Sequence, residues 1–499
     1  DRTFGDHSLN LLAGHEYYRY KYNYALGEKT GIVGGIDELG PAVTTTDNNS
    51  YSHNYGVESY LARINYGFKS RYYIDASWRT DGSSRFHPSD RWGHFWSVGA
   101  SWRISEEQFM ENTRQWLDNL TLKVSYGVQG NDNLGTYYAW QGLYDYTWPN
   151  ATDAGAFVDK LENRKVTWEK NGNLNAGIEA TMFGGRLGVS VEYYNRKTRD
   201  MLLNSPLPIS TGFTGFNDNV GSLRNQGLEV SLRGTILDKR DFRWDATLMG
   251  SFNRNKVLSL TGGQDVITSG IRVIEVGRPI YTFYLPKTAG VDPATGKQLY
   301  YAYWTQTVND EGTLVNTRCD EYITDNVAMA TLSKYYHESR EPKLFGSIGS
   351  TFTILKNIDV SFLTTYSIGG WVYDGLYNGS MYVQYAGNNW HKNAKRRWQK
   401  PGDKTDVPML EVGGSYATTS NSLIDASYFA IKNITVGYTL PKRWLKKIDI
   451  ESLRIYATLD NIAMFNHMDG MDPQYNFTGS VAYSYTPSRV IAFGIDLNF

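Results

Sequence analysis

Cysteine is almost missing from this sequence: Cys319 stands alone among 499 residues. A single thiol excludes a disulfide within the chain and any zinc site built on cysteines. It does not assign a reducing compartment, because exposed proteins also dispense with disulfides. An excess of one charge is missing too, with 50 Lys and Arg against 51 Asp and Glu. Whole-chain electrostatics therefore predicts no nucleic-acid partner. No apolar run reaches the roughly 18 residues that a membrane-spanning helix needs. The opening stretch Asp1–Asp6 has neither a basic start nor an apolar core, so no signal peptide is expected there, and the chain is read as mature or as cut from something longer. The eight histidines (7, 15, 53, 87, 94, 337, 391 and 467) show no metal-ligand spacing. There is no Gly-rich phosphate loop and no nucleophile elbow, so no metal, no cofactor and no enzyme activity are expected. Asp81-Gly82-Ser83-Ser84 reads as a turn, with no base nearby to activate a serine.

What the sequence has is aromatic residues and alternation. Aromatics make up 14%, with 38 tyrosines. From Leu120 to Gln129 every even position is apolar and every odd one polar or small, and Trp244–Leu248 and Leu453–Asp460 follow the same rule. Successive side chains of a strand point to opposite faces, so these segments each have one apolar and one polar face. About fourteen such segments are predicted, near residues 7–22, 55–69, 71–80, 91–104, 119–129, 166–182, 185–198, 222–235, 241–255, 343–355, 357–371, 424–440, 451–462 and 487–499. Helical periodicity is confined to a short stretch near Glu106–Trp116, where Glu106 and Glu107 would suit the helix start. The chain reads as all-β.

The links between these segments alternate in length. Tight ones fall at Lys69–Arg71, Phe183–Gly185 and Leu355–Asn357, and long ones near 23–54, 130–165, 199–221, 256–342, 372–423 and 463–486. That rhythm matches a transmembrane antiparallel β-barrel, with short periplasmic turns and long extracellular loops. The last segment agrees: Ile491, Phe493, Ile495, Leu497 and Phe499 occupy every second position up to the final residue. A terminal aromatic on an alternating strand resembles the signal by which outer-membrane barrels are recognised for insertion. It places that end in the periplasm and the long loops outside.

Several blocks go further than the barrel pattern: Trp78–Phe86, Trp92–Glu107, Leu122–Asn131, Val220–Glu229, Gly290–Gly296, Ile431–Tyr438 and Asp472-Pro473. In this order they resemble the C-terminal half of the SusC/RagA family of TonB-dependent outer-membrane transporters, from about residue 55 to the end. The resemblance implies a 22-stranded barrel filled by an N-terminal plug. About fourteen strands here would leave about eight, with the plug and the TonB box, upstream of Asp1. It also implies TonB-dependent import of oligosaccharides or peptides across the bacterial outer membrane. The implied partners are a SusD-like surface lipoprotein acting as a lid, TonB acting through the N-terminal region, that remaining N-terminal part, and outer-membrane lipids. Pairing of two transporter–lid units is a further implication. A siderophore or cobalamin receptor fits the blocks poorly; a self-contained passive porin of 14 strands remains the alternative.

Two classes of aromatic residue stand out. Tyr17, Tyr18, Tyr72, Tyr73, Trp102, Tyr193 and Tyr194 sit at strand ends, as interfacial girdles do. Others lie in long loops, and among these Tyr137, Tyr138, Trp140, Tyr144, Trp148, Tyr377, Tyr382, Tyr385 and Trp390 are the candidates for substrate or lid contact. Loop packing, partner docking and stacking on a ligand all use such rings. Loop 256–342 is the candidate for lid contact and loop 372–423 for ligand contact. The basic run Lys392–Lys400 reads as a solvated face, or as a contact for an acidic partner or anionic lipid.

Overall fold

The computed structural model describes residues 1–499 apart from 154, 261–264, 382–386, 388, 412–415, 447–449, 469, 475–476 and 482–484. Its main feature is one antiparallel sheet of 15 strands, each paired with its neighbour in the wall. In chain order they are β1 (Arg2–Phe4), β2 (His7–Thr30), β3 (Thr44–Phe68), β4 (Tyr72–Ser83), β5 (Trp92–Arg103), β6 (Leu117–Asn131), β7 (Glu169–Met182) and β8 (Leu187–Arg199). The wall continues with β9 (Ser222–Lys239), β10 (Phe242–Ser259), β11 (Leu344–Ile354), β12 (Ile358–Ile368), β13 (Tyr428–Thr439), β14 (Ser452–Asn466) and β15 (Val490–Asn498). The fourteen expected segments are β2–β15; the three-residue β1 was below the reach of a pattern of alternation. The sheet is not closed, since β1 and β15 are its two edges and β1 covers only His7–Leu9 of β2.

Alternation becomes two continuous faces because the register carries apolar residues onto apolar partners. Phe68, Tyr72, Trp102, Leu122, Ile178, Val191 and Val230 are successive cross-strand partners. Further along, Trp244, Phe352, Val360, Val436, Ala457 and Phe493 do the same. None of these side chains is buried, and Phe493 is 81% exposed. In water such a belt would be unfavourable, and against acyl chains it is at home. The other face runs through Asp75, Gly99, Ser125, Asn175, Tyr194, Gly227 and Asn253. It is polar, as the inside of a barrel is. Tyr17, Tyr72, Trp102 and Tyr193 lie on the apolar face, whereas Tyr18, Tyr73 and Tyr194 lie on the polar one, so the first four fit a lipid girdle and the last three do not.

The tight turns gather at one end. Lys69 and Ser70 have φ of 51° and 52°, and Leu355 and Lys356 have 50° and 63°. Two consecutive positive-φ residues are what a two-residue hairpin requires to match the twist of its strands. The expected helical stretch is two 3-10 turns, Ile104–Glu106 and Gln108–Thr113. Glu107 between them does more than mark a helix start. It accepts from Tyr72 Oη at 2.5 Å, Trp102 Nε1 at 3.1 Å and Arg71 Nη1 at 3.4 Å. The Tyr72 and Trp102 hydrogen bonds hold its carboxyl below the usual range. At the same end Arg454 donates to Asp359 at 3.0 and 2.7 Å and to Asp496 at 3.2 Å, tying β12, β14 and β15 together. It crosses Gly437 of β13, where a Cβ would lie 2.5 Å from the guanidinium.

At the opposite end the sequence reading needs one large correction. The expected loop 23–54 is mostly strand: β2 runs on to Thr30 and β3 begins at Thr44, paired almost residue for residue. Beyond the bilayer both faces meet water, so the polar–apolar alternation stops while backbone pairing continues. The Asp81–Ser84 turn is displaced too, since β4 extends through Ser83 and the chain turns only after it.

Candidate functional site

The long loops build the site, and three of them form one body. Loop 260–343 carries its own strands, including Thr282–Pro286 and Gln298–Val308. Loop 369–427 supplies strands Trp371–Asp374 and Leu423–Asp425, and loop 467–489 supplies Ser480–Val481. Those last three pair into a small sheet, with Tyr373 opposite Ser480 in parallel register. Phe283 and Leu285 of the first loop pack on Tyr373 of the second. Val372 and Ala426 of the second pack on Met468 and Met471 of the third. Full burial of such side chains contributes about 1.5–3 kcal/mol each, so the loops hold one another.

A second knot joins two segments that stood apart in the sequence. Trp398, inside the basic run, donates from Nε1 to Pro293 O at 2.9 Å, and Gly402 N donates to the same carbonyl at 2.8 Å. Gly296 (φ +75°) lies against the indole, where a Cβ would come within 2.5 Å of the ring. The Gly290–Gly296 block is thus the seat of Trp398. Loops 256–342 and 372–423 are thus packed on each other.

Beneath this roof, against the polar face of the wall, lies a cavity of about 410 Å³. Tyr194, Asn225, Asn253 and Asn255 line it from the wall, and Tyr281, Arg340, Glu341 and Phe477 from the loops. Glu341 at the root of the first loop is held by β10: Asn255 N donates to its Oε2 at 3.0 Å, and the Asn253 amide donates to its Oε1. Tyr194 Oη donates to Asn253 at 2.7 Å, and Asn255 donates to Asn225 at 2.7 Å, so the hydrogen bonds cross three wall strands. Burial pushes the Glu341 carboxyl up, against the hydrogen bonds from Asn255 and Asn253. Arg340 donates to Pro473 O at 2.7 Å, linking the first loop to the third. Burial also raises Asp374, whose Oδ1 accepts from Tyr377 N at 2.8 Å. Amides, phenols and one adjacent cation–anion pair can bind a polar ligand; they supply no activated nucleophile. Among the described residues no group of His, Cys, Asp or Glu is placed to hold a metal.

The aromatic candidates do not converge on this cavity. Tyr137 and Tyr138 belong to a cluster on the extended β2–β3 hairpin, with ring centroids 5.3 and 5.7 Å from His53. Trp140 packs edge-on against His87 at 5.0 Å, over the core of Phe86, Val166 and Trp168. Tyr144 and Trp148 project from the same loop, 58% and 67% exposed. Tyr377 lies on the helix Gly375–Met381 and meets His391 edge-on at 4.9 Å, and Trp390 lines a small recess beside Met381. Tyr382 and Tyr385 lie outside the described residues. Ile491, Phe493, Ile495 and Leu497 all sit on the apolar face of β15, and Phe499 follows the strand.

Sequence reasoning missed the cavity: Tyr194 of its lining was singled out, but as part of a lipid girdle. Arg340 and Glu341 carry no local signal, because their partners are more than 80 residues away. Tyr18, Tyr20, Tyr22 and Tyr24 did carry one, an alternation of tyrosine with polar residues. It falls within the predicted strand 7–22 as far as Tyr22, with Tyr18 read as part of a girdle, and is lost at Tyr24 in the expected loop 23–54.

Comparisons with known proteins agree with this geometry. The family described as TonB dependent receptor-like, beta-barrel, matches residues 1–462. TonB-dependent receptor P39 of Formosa agariphila is 28% identical over all of this chain and 52% of its own length. TonB-dependent receptor SusC of Bacteroides thetaiotaomicron is 28% identical over all of this chain and 49% of its own. The solved structure of the RagAB peptide transporter superposes with a TM-score of 0.84 at 28% identity, covering 99% of this chain and 54% of that one. The chain thus spans about half the length of the curated relatives it matches.

Proposed function

This chain belongs to the TonB-dependent receptor-like β-barrel family, and from that premise we propose that it is the C-terminal wall and loop roof of an energised importer in the bacterial outer membrane. The family consists of transporters, and no catalytic role is assigned to this chain. The observation that carries the reading is the wall itself: a lipid-compatible belt outside, a polar face inside with a roofed cavity, and two unpaired edges. Unpaired backbone groups in lipid cost several kcal/mol each, so those edges call for further strands. On this reading the N-terminal part of the same polypeptide completes the barrel, plugs it and contacts TonB. A SusD-like lipoprotein closes over the loops, and outer-membrane lipids cover the belt. Pairing of two such units is consistent with the resemblance. The open edges weigh against a self-contained porin. Ile491 through Phe499 serve as the insertion signal.

The cargo is an oligosaccharide or a peptide too large for passive pores. Peptide transport by RagAB, the likeness to SusC and the amide- and phenol-lined cavity support that range. The test is uptake of labelled oligosaccharides and peptides by cells carrying the full-length transporter, with and without TonB. Uptake that stops when TonB is deleted is expected. Uptake at an undiminished rate without TonB would overturn the importer reading.

A further inference from the structure

The first hairpin carries an aromatic surface that neither the roof nor the lipid belt explains. Tyr18, Tyr20, Tyr22 and Tyr24 point to one face of β2, and Tyr55, His53 and Tyr51 stand opposite the last three on β3. That face is the polar one: the neighbouring Glu16 meets Arg79 of β4 at 3.0 Å on the same side. The other side of the hairpin at this height is Arg19, Lys21 and Asn23 against Gly56, Asn54 and Ser52, so no lipid is in contact and the rings are not a girdle. They form a ladder. Tyr20 and Tyr22 lie 6.5 Å apart with planes within 8° of parallel, and Tyr24 and Tyr51 lie 4.8 Å apart. At about 3.3 Å per residue, Tyr18 to Tyr24 spans about 20 Å.

The chemistry of the ladder is narrow. Its nearest cation, Arg85, is stacked on Tyr55 at 4.5 Å and Tyr137 at 5.2 Å and paired with Asp132 at 3.2 Å, so its charge is neutralised. The next charged side chains up the same face are Glu28 and Asp47, four residues beyond Tyr24 and Tyr51. The backbone groups of β2 and β3 that point toward each other are engaged in pairing, which leaves the face itself with side chains only. An extended peptide lying across the rings would find no main-chain partners on that face; those it could pair with lie in the plane of the sheet, along the outer edges of β2 and β3 that β1 and β4 leave uncovered. A sugar ring needs a flat apolar face to stack on and a hydroxyl partner at its rim. Tyrosine offers both.

We propose that this ladder is a binding track for neutral, linear oligosaccharides at the mouth of the barrel, separate from the cavity under the roof. The proposal rests on the importer reading for its setting and narrows its cargo. The test uses the full-length transporter purified with its partner lipoprotein, with maltohexaose, cellohexaose and a capped neutral decapeptide as probes. At least one hexasaccharide binds the parent. The double variant Tyr20→Ala/Tyr22→Ala weakens that binding by about tenfold, whereas Tyr20→Phe/Tyr22→Phe keeps it within about threefold, because stacking survives. Both variants are checked for heat-modifiable migration of a folded barrel. Hexasaccharide binding unchanged in the alanine pair would overturn the proposal. So would a parent that binds neither hexasaccharide, or one whose decapeptide binding is the only binding lost in the alanine pair. The importer reading fails separately: ladder-dependent binding with TonB-independent uptake sinks the importer and leaves the track.

Discussion

The two halves of the outer rim are built in different ways. Over β10–β15 the rim is a roof of three loops, held by buried side chains such as Phe283, Tyr300 and Met468 and enclosing a cavity. Over β2 and β3 there is hardly a loop; the wall strands continue past the bilayer by backbone pairing and leave their rings half-exposed. Burial makes a body whose parts depend on one another. Pairing makes a surface whose residues can be exchanged singly. The same end of one sheet thus carries a cooperative lid-like mass and a modular track.

The sharpest way to break that contrast is to remove a buried ring from the roof. Tyr300 is 1% exposed, packs on Ala330 and Ala417, and its hydroxyl accepts from Ala417 N at 3.2 Å. Tyr300→Ala is expected to destabilise the roof by about 3–5 kcal/mol. Hydrogen exchange should then quicken through Trp371–Asp374 and Leu423–Asp425 together while β2 and β3 stay protected. Exchange confined to the neighbourhood of residue 300 would contradict the one-body roof.

A smaller effect is expected where the two regions most resemble each other. Arg85 is packed on Tyr55 and Tyr137 of the first hairpin's rim, as cations of the roof are on its tyrosines, and its partner Asp132 also accepts from Tyr55 and Ser83 at 2.7 Å. Arg85→Ala should cost about 2 kcal/mol, the range for hydrogen bonds to a charged group. The loss should appear as faster exchange in the first residues after β6, with the roof unchanged.

Glu341 tests the joint between roof and wall by pH. Burial raises its carboxyl above the ordinary value, so the folded state holds the proton more tightly than the unfolded one. Its contribution is most favourable at low pH and declines as pH rises from the ordinary carboxyl value through the raised one. Glu341→Gln should flatten that decline in roof protection; an unchanged slope would assign the dependence to another group. The smallest effect is expected at Trp148, which projects into solvent. Trp148→Ala should change stability by no more than about 0.5 kcal/mol and weaken retention of the proposed SusD-like lipoprotein in a pull-down; unchanged retention would remove this tip from the lid contact.

The wall was legible because its signal is local. A strand between lipid and a polar interior must alternate, and Leu120–Gln129 or Ile491–Leu497 announce themselves without any partner in view. The same rule explains what was missed. Residues 23–30 and 44–54 are strand on both sides of which there is water, so the hydrophobic alternation that flags a strand is absent. The loop strands are three to eleven residues long and take their partners from distant segments, as Tyr373 does from Ser480. Trp398 and Gly296 are unremarkable singly and become a knot only when the chain brings them together across about a hundred residues. The aromatic candidates were found by residue type, and type alone does not distinguish Trp140, which packs a core, from Trp148, which meets solvent.

The central claim is that this wall is one part of a larger, energised barrel, and native mass spectrometry of the complex extracted from outer membranes in mild detergent tests it most directly. The account predicts these residues within a polypeptide of about twice this length, consistent with the half-coverage of its relatives, or beside a companion N-terminal half, together with a lipoprotein. A folded, closed species made of this chain alone, conducting without a partner, would contradict it.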